Sequence, residues 1–370
     1  FLPQILILFF FIGILEDCGY MARAAFLMDR LMARIGLNGK AFIPLLSSFA
    51  CAIPGILATR TIENRRDRLI TILVAPLMSC SARLPVYALM IGAFIPSVKI
   101  LGIFDLKGLT LLAMYLLSVF AGLGMAFIFR KTLLRGRSTP FLFELPPYRV
   151  PNVRNILLTT WDRGKEFIVN AGTIIFCISI VLWFLVSYPV NREVSEKYEV
   201  LRTEAVQNAG PGSPADLLLA LDKEEASIQL QSSFAGQLGK AIEPAIQPLG
   251  FDWKIGIGLI ASFAAREVLV STLAITYNVG EDADETSVDL ISRLQNEKNP
   301  LTNQPVYTPL VAWSIMVFFV LACQCMSTVA VVKRETNSWR WPAFMIVYMT
   351  ALAWTGSFIT YQGGKLLGFS

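Results

Sequence analysis

The sequence contains no histidine. Imidazole is the usual acid–base group near neutral pH and the commonest metal ligand. Its absence removes histidine-based catalysis, so any metal must use Cys, Met, carboxylates or backbone carbonyls. No G-x-x-x-x-G-K-[ST] phosphate loop occurs either. The nearest stretches, 36–41 (GLNGKA) and 236–241 (GQLGKA), have too few residues between glycines and alanine after the lysine. No nucleotide is therefore expected to bind, and no nucleophile–base constellation points to an enzyme. Charge is scarce: 16% of residues are charged, for a net +5, with the positives gathered in loops. That balance speaks for membrane topology rather than for nucleic acid. Six cysteines without paired spacing in loops form no disulfide framework, and five of them (Cys51, Cys80, Cys177, Cys323, Cys325) lie in apolar segments.

What is present is apolar. Of 370 residues, 55% are hydrophobic, and the mean hydropathy is +0.57. This composition predicts an all-α, polytopic transmembrane helical bundle in a lipid bilayer. The chain opens at Phe1-Leu2-Pro3 inside an apolar run, without the basic start and cleavage site of a signal peptide, and reads as a fragment.

The organising stretch is Ala41 to Tyr87. It is apolar enough for a membrane, yet carries Pro44, Pro54, Pro76 and Pro85, and a charged cluster of Arg60, Glu63, Arg65, Arg66, Asp67 and Arg68. Proline removes a backbone donor and clashes with the preceding turn, so broken or re-entrant helices are expected. Such backbone survives at membrane depth only where protein or a water-filled cavity satisfies it, and transporters build substrate sites from it. Cys51 and Cys80 each stand beside a small-residue turn here. The stretch is read as the substrate path. The arginine cluster is either a docking face for a cytoplasmic partner or a solvated, positive-inside anchor.

Elsewhere, Leu84–Ile95, Leu109–Phe129, Phe167–Tyr188, Thr308–Val332 and Trp341–Tyr361 read as spans, and Asn152–Lys165 as an amphipathic helix. Basic Arg130–Lys165 and Lys333–Arg340 are expected inside, and acidic Asn191–Leu249 and Gly280–Pro305 outside. Trp253–Tyr277 then begins and ends on one face, which requires a hairpin or broken pair with Arg266-Glu267 near its tip. An internal repeat agrees. Gly36-Leu37 and Gly250-Phe251 each stand twelve residues before Ser-Phe-Ala (Ser48, Ser262), with Lys40 and Lys254 at equivalent places. Two such segments facing opposite sides would form an inverted-topology transporter repeat.

Six motifs, spread over nearly the whole chain, resemble the ferrous iron transport protein B (FeoB) family in its membrane part. They are LEDCGYMARAAFLMDRLM (15–32), ATRTIENRRDRLITILVAPLMSCSARLPVYAL (58–89), ELPPYRVPNVRNILL (144–158), AGTIIF (171–176), ASFAAREV (261–268) and VVKRET (331–336). The resemblance implies Fe²⁺ uptake across the bacterial inner membrane by a multi-pass protein, with Fe²⁺ as transported substrate. It also implies two gate segments, a GTPase domain or subunit outside this sequence, and a small cytoplasmic accessory protein; a homo-oligomer is compatible with it. On that pattern the chain divides into 1–130 (first gate region and following helices), 131–166 (basic connection), 167–189 (a transmembrane helix), 190–250 (acidic excursion), 251–277 (second gate), 278–305 (acidic loop) and 306–370 (C-terminal helices). The first gate departs from the family's usual GCNVP and reads Ala50-Cys51-Ala52-Ile53-Pro54, without the polar Asn.

The resemblance marks Cys51, Cys80 and Cys325 as metal path, and thiolate plus carboxylate ligation suits a borderline ion such as Fe²⁺. A membrane cysteine is also a small apolar filler, the reading kept for Cys177 and Cys323; Cys18 is unassigned. Glu267 and Asp17 are candidate path carboxylates, because charge inside apolar segments either pairs or marks a pathway. Two other readings stay open. A gate-containing nucleoside or other solute transporter would need stacking aromatics and amide or carboxylate groups in the broken segments, and a non-transporting membrane scaffold would show no metal flux.

Overall fold

The computed structural model describes residues 2–100, 104–133, 147–189, 192–208, 232–263, 266, 268–277, 287–297 and 305–368, with isolated positions between 218 and 229. The described chain is helical but for a two-residue ladder, β1 (Lys99–Ile100) with β2 (Phe104–Asp105). In order the helices are α1 (Leu2–Asp17), α2 (Tyr20–Ile35), α3 (Phe42–Ser48), α4 (Ala52–Ala58), α5 (Arg65–Val74), α6 (Leu84–Phe94), α7 (Leu106–Thr132), α8 (Val153–Phe167) and α9 (Thr173–Ser187). They continue as α10 (Arg192–Asn208), α11 (Phe234–Ile246), α12 (Trp253–Ala261), α13 (Val268–Thr276), α14 (Val288–Asn296), α15 (Pro309–Leu321), α16 (Met326–Thr336) and α17 (Arg340–Leu366).

Among the described residues, four segments are long and apolar enough to cross a membrane: Arg65–Phe94, Leu106–Thr132, Pro309–Thr336 and Arg340–Leu366. At 1.5 Å per residue a 27-residue helix such as α7 or α17 is about 40 Å long, ample for a bilayer. The two uninterrupted spans are 22% buried over their apolar windows, whereas Arg65–Phe94 and Pro309–Thr336 are 72% and 83% buried. The buried pair are the broken ones. Unwound backbone is shielded from lipid by protein, as the missing hydrogen bonds require.

The prolines explain where helices restart. Pro44 and Pro54 occupy the first turns of α3 and α4, Pro85 that of α6, and Pro76 is the second residue of the 3₁₀ turn Ala75–Leu77. The missing N–H is harmless in a first turn, where it has no intrahelical partner. Thr308–Val332, expected as one span, is in fact α15 and α16 separated by unwound Ala322–Cys325. No proline or glycine marks this third break. The expected Asn152–Lys165 helix and 167–188 span are likewise one helical run, joined by a π turn at Ile168–Gly172 and capped by the Asn152 side chain.

By contacts the chain forms two compact units. One comprises Phe1–Ala82, Leu112–Phe176 and Val320–Ala353; the other Arg83–Leu111, Cys177–Phe319 and Trp354–Ser370. Each holds one copy of the repeat, and the copies match in detail. In the first, α2 ends at left-handed Gly36 (φ 92°), Asn38 accepts a hydrogen bond from the Lys40 amide, and α3 and α4 follow across a break. In the second, α11 and the 3₁₀ turn Gln247–Leu249 end at left-handed Gly250 (φ 85°), Asp252 accepts from the Ile255 amide, and α12 and α13 follow across 262–267. Lys40 pairs with Glu63 at 2.9 Å, and Lys254 with Glu297 at 2.6 Å.

In the second unit α11 packs on α12, and Leu249 is held by the Ser314 hydroxyl at 2.9 Å. A Cβ at Gly250 would strike the Tyr361 ring, and its positive φ excludes most L residues besides. Gly250→Ala is expected to cost about 1–2 kcal/mol from backbone conformation alone, and more from the clash. A fall in the melting temperature of the purified protein checks this; an unchanged value would mean the turn has another conformation.

Candidate metal path

The first unit contains three unwound points, each with a cysteine. Cys51 precedes α4 with extended backbone (φ −154°, ψ 135°), and Cys325 precedes α16 in nearly the same way (φ −157°, ψ 100°). Cys80 lies between the 3₁₀ turns Ala75–Leu77 and Ser81–Arg83. All three are half-buried. Unwinding takes backbone carbonyls out of the helical ladder and turns them toward whatever occupies the gap. Cys177, by contrast, sits inside regular α9 and is exposed; Cys323 shares the third break but is buried.

Packing brings the three breaks into one neighbourhood. The Ser81 hydroxyl donates to the Ala50 carbonyl at 3.0 Å, tying the residue after Cys80 to the residue before Cys51. Helix α4, which starts at the Cys51 break, packs on α16, which starts at the Cys325 break. Buried polar side chains accompany them: Ser47, Ser48, Ser79, Gln324, Ser327 and Thr328 are all below a tenth exposed. The Ser327 hydroxyl is buried and has no hydrogen-bond partner among the described residues. Polar Gln324, Ser327 and Thr328 inside an apolar run were a signal of the third break that the span reading passed over.

The far ends of α4 and α16 are clamped together. Glu335, its side chain 4% exposed, accepts from Arg60 Nη2 at 2.6 Å and Arg68 Nη2 at 2.5 Å. Arg60 Nε adds contacts at 3.1 and 3.2 Å. Two members of the arginine cluster are thus engaged inside the molecule, holding the geometry behind Cys51 and Cys325.

The carboxylate candidates are placed differently. Asp17 Oδ2 accepts from the Asn152 amide at 2.7 Å, at the start of α8 and in the α1–α8 contact. Glu267 lies outside the described residues; its neighbour Arg266 is 4% exposed within the α12–α13 break. Among the described residues, no three Cys, Asp or Glu side chains cluster closely enough to hold a metal. What the first unit offers is thiols and unwound backbone, an open and partial donor set.

Comparison with known proteins places the chain. A family model described as "Gate: Nucleoside recognition" matches residues 1–94 and 168–339, and one described as "Ferrous iron transport protein B C terminus" matches 111–163. An "Fe(2+) transporter FeoB" of Leptospira interrogans is 50% identical over 366 residues, covering 99% of this chain and 49% of the relative. The chain belongs to the FeoB family, as a gate-type membrane part. A Staphylococcus aureus "Fe(2+) transporter FeoB" is 39% identical, covering 99% of this chain and 47% of its own. A Porphyromonas gingivalis "Fe(2+) transport protein A/Fe(2+) transporter FeoB fusion protein" is 41% identical, covering 99% and 42%. The chain therefore spans about half the length of the curated relatives it matches. No solved structure matches it.

Proposed function

We propose that this chain is the permease core of a ferrous-iron uptake system in the bacterial inner membrane, passing Fe²⁺ between two inverted gate repeats. The observation that carries the reading is the placement of Cys51, Cys80 and Cys325, each at an unwound point of one unit and two of them bridged through Ser81 and Ala50. A transport site must release its ion, so a few soft ligands on flexible backbone suit it better than a closed cage. Glu267 and Asp17 are proposed as carboxylates along the route, Asp17 at its α8 end. The basic segments face the cytoplasm, and the domain divisions follow the gates. The relatives' names and the thiols at the breaks favour a metal over the nucleoside of the gate description.

A GTPase domain or subunit would act on this core from the cytoplasm, and the fused relative supports a small accessory partner. The test is anaerobic flux into proteoliposomes containing this chain and an internal Fe²⁺ chelator. Fe²⁺ is expected to enter above the empty-vesicle rate, weakly and without regulation, while GTP is not hydrolysed above the blank. Absence of Fe²⁺ entry together with uptake of a labelled nucleoside would overturn the proposal in favour of the solute reading. Flux of neither would favour the scaffold.

A further inference from the structure

The first unit holds a second site, away from the cysteines. A cavity of about 510 Å³ is lined by Arg65, Arg340 and Ser338 together with Leu133, Trp341 and Phe344. Its position follows from the spans. Arg65 begins the first, Leu133 directly follows the second, Thr336 ends the third and Arg340 begins the fourth. All four apolar segments thus terminate around it, so it lies at the level where a bilayer's headgroups meet its acyl chains. Exposed Trp339, with Lys333 Nζ 4.8 Å from its ring centre, stands on the same turn, as aromatic residues do at membrane interfaces.

Among the described residues, the charge of the cavity has no acidic partner. Arg60 and Arg68 are occupied by Glu335, but neither Arg65 nor Arg340 makes an ion pair among the described residues. Among the described residues, no Asp or Glu lines the cavity. The Asn337–Ser338 turn shapes its floor: Asn337 is left-handed (φ 48°), and the Ser338 hydroxyl accepts from the Arg340 amide, starting α17. Two guanidinium groups and an apolar, aromatic lining in one cavity match one chemistry, a phosphate with a hydrocarbon tail. Guanidinium binds phosphate through paired N–H donors, and basic pockets at span ends on the positive face take anionic headgroups.

We propose that this cavity binds the phosphate headgroup of an anionic glycerophospholipid from the leaflet on the chain's basic face, with an acyl chain against Leu133, Trp341 and Phe344. A soluble phosphate shares the headgroup chemistry but not the tail. The test uses the whole chain in nanodiscs of phosphatidylcholine with or without phosphatidylglycerol, read by native mass spectrometry. Wild type is expected to retain phosphatidylglycerol over phosphatidylcholine, and Arg65→Gln/Arg340→Gln to lose that retention at least about tenfold, each arginine contributing roughly fivefold. Arg149→Gln, an exposed basic position outside the cavity, should leave it unchanged. Should the double variant fail to fold, dicarbonyl labelling of wild type decides. Arg65 and Arg340 should be protected several-fold by phosphatidylglycerol and Arg149 not, with no protection from millimolar inorganic phosphate in phosphatidylcholine discs. Equal retention by wild type and the double variant, equal labelling in both lipids, or protection by inorganic phosphate alone would overturn the lipid site.

Discussion

Cys80→Ser is expected to remove most Fe²⁺ uptake while the protein still reaches the membrane at normal level, and Cys51→Ser is expected to do the same. Serine keeps the volume and the half-buried setting of each thiol, so packing changes little. What changes is softness: a thiol that can bind a borderline ion becomes a hard hydroxyl. The loss should be at least about tenfold, the scale on which disturbing even an outer-shell group weakens a metal site. The two positions act together, because Ser81 and Ala50 join their breaks by one hydrogen bond. The double variant should therefore lose little more than either single one. Cys177→Ser is the control, since that thiol is exposed on regular α9. The measurement is anaerobic Fe²⁺ uptake in a strain lacking other importers, normalised to membrane protein. If Cys51→Ser, Cys80→Ser and Cys177→Ser all transport alike, the cysteines are filler and the route runs along carboxylates and backbone.

Glu335→Gln is expected to destabilise the first unit although it lies away from the breaks. Removing one partner of a buried pair leaves charge without compensation and costs 3–5 kcal/mol when all partners are buried. Here the glutamate side chain is 4% exposed but Arg60 and Arg68 are 52% and 30% exposed, so solvent recovers part of the loss. About 2 kcal/mol is the expected cost, read as a melting temperature lowered by a few degrees. Glu63→Gln breaks the Lys40 pair at a site where the glutamate is 88% exposed, and should cost well under ~1 kcal/mol. Because Arg60 follows α4 and Glu335 ends α16, Glu335→Gln should also reduce Fe²⁺ uptake without touching a cysteine. Equal stability of Glu335→Gln and Glu63→Gln would remove the clamp from the account.

The first gate was legible because its signals are local. Four prolines in a forty-seven-residue apolar stretch announce restarts, and the structure places each in a first turn. The repeat was legible from two glycines, two lysines and two Ser-Phe-Ala triplets. Its extent was not, since α2 and α11 share a position but not a sequence, and the lysines reach Glu63 and Glu297 over unequal distances. The third break at Ala322–Cys325 was missed because hydropathy averages over Gln324, and no proline or glycine interrupts the run. Nor could sequence pair Arg60 with Glu335 across 275 residues, or Asp17 with the Asn152 amide across 135. Such contacts are decided by packing rather than by neighbouring residues.

Fe²⁺ is proposed to pass through the neighbourhood of the Cys51, Cys80 and Cys325 breaks. Anomalous scattering at the iron edge from crystals soaked anaerobically with Fe²⁺ tests it most directly. An iron peak is expected within ligand distance of at least one of these three thiols, lost in the Cys80→Ser protein. An iron peak only elsewhere, or one beside these breaks that survives Cys80→Ser and Cys51→Ser unchanged, would contradict it.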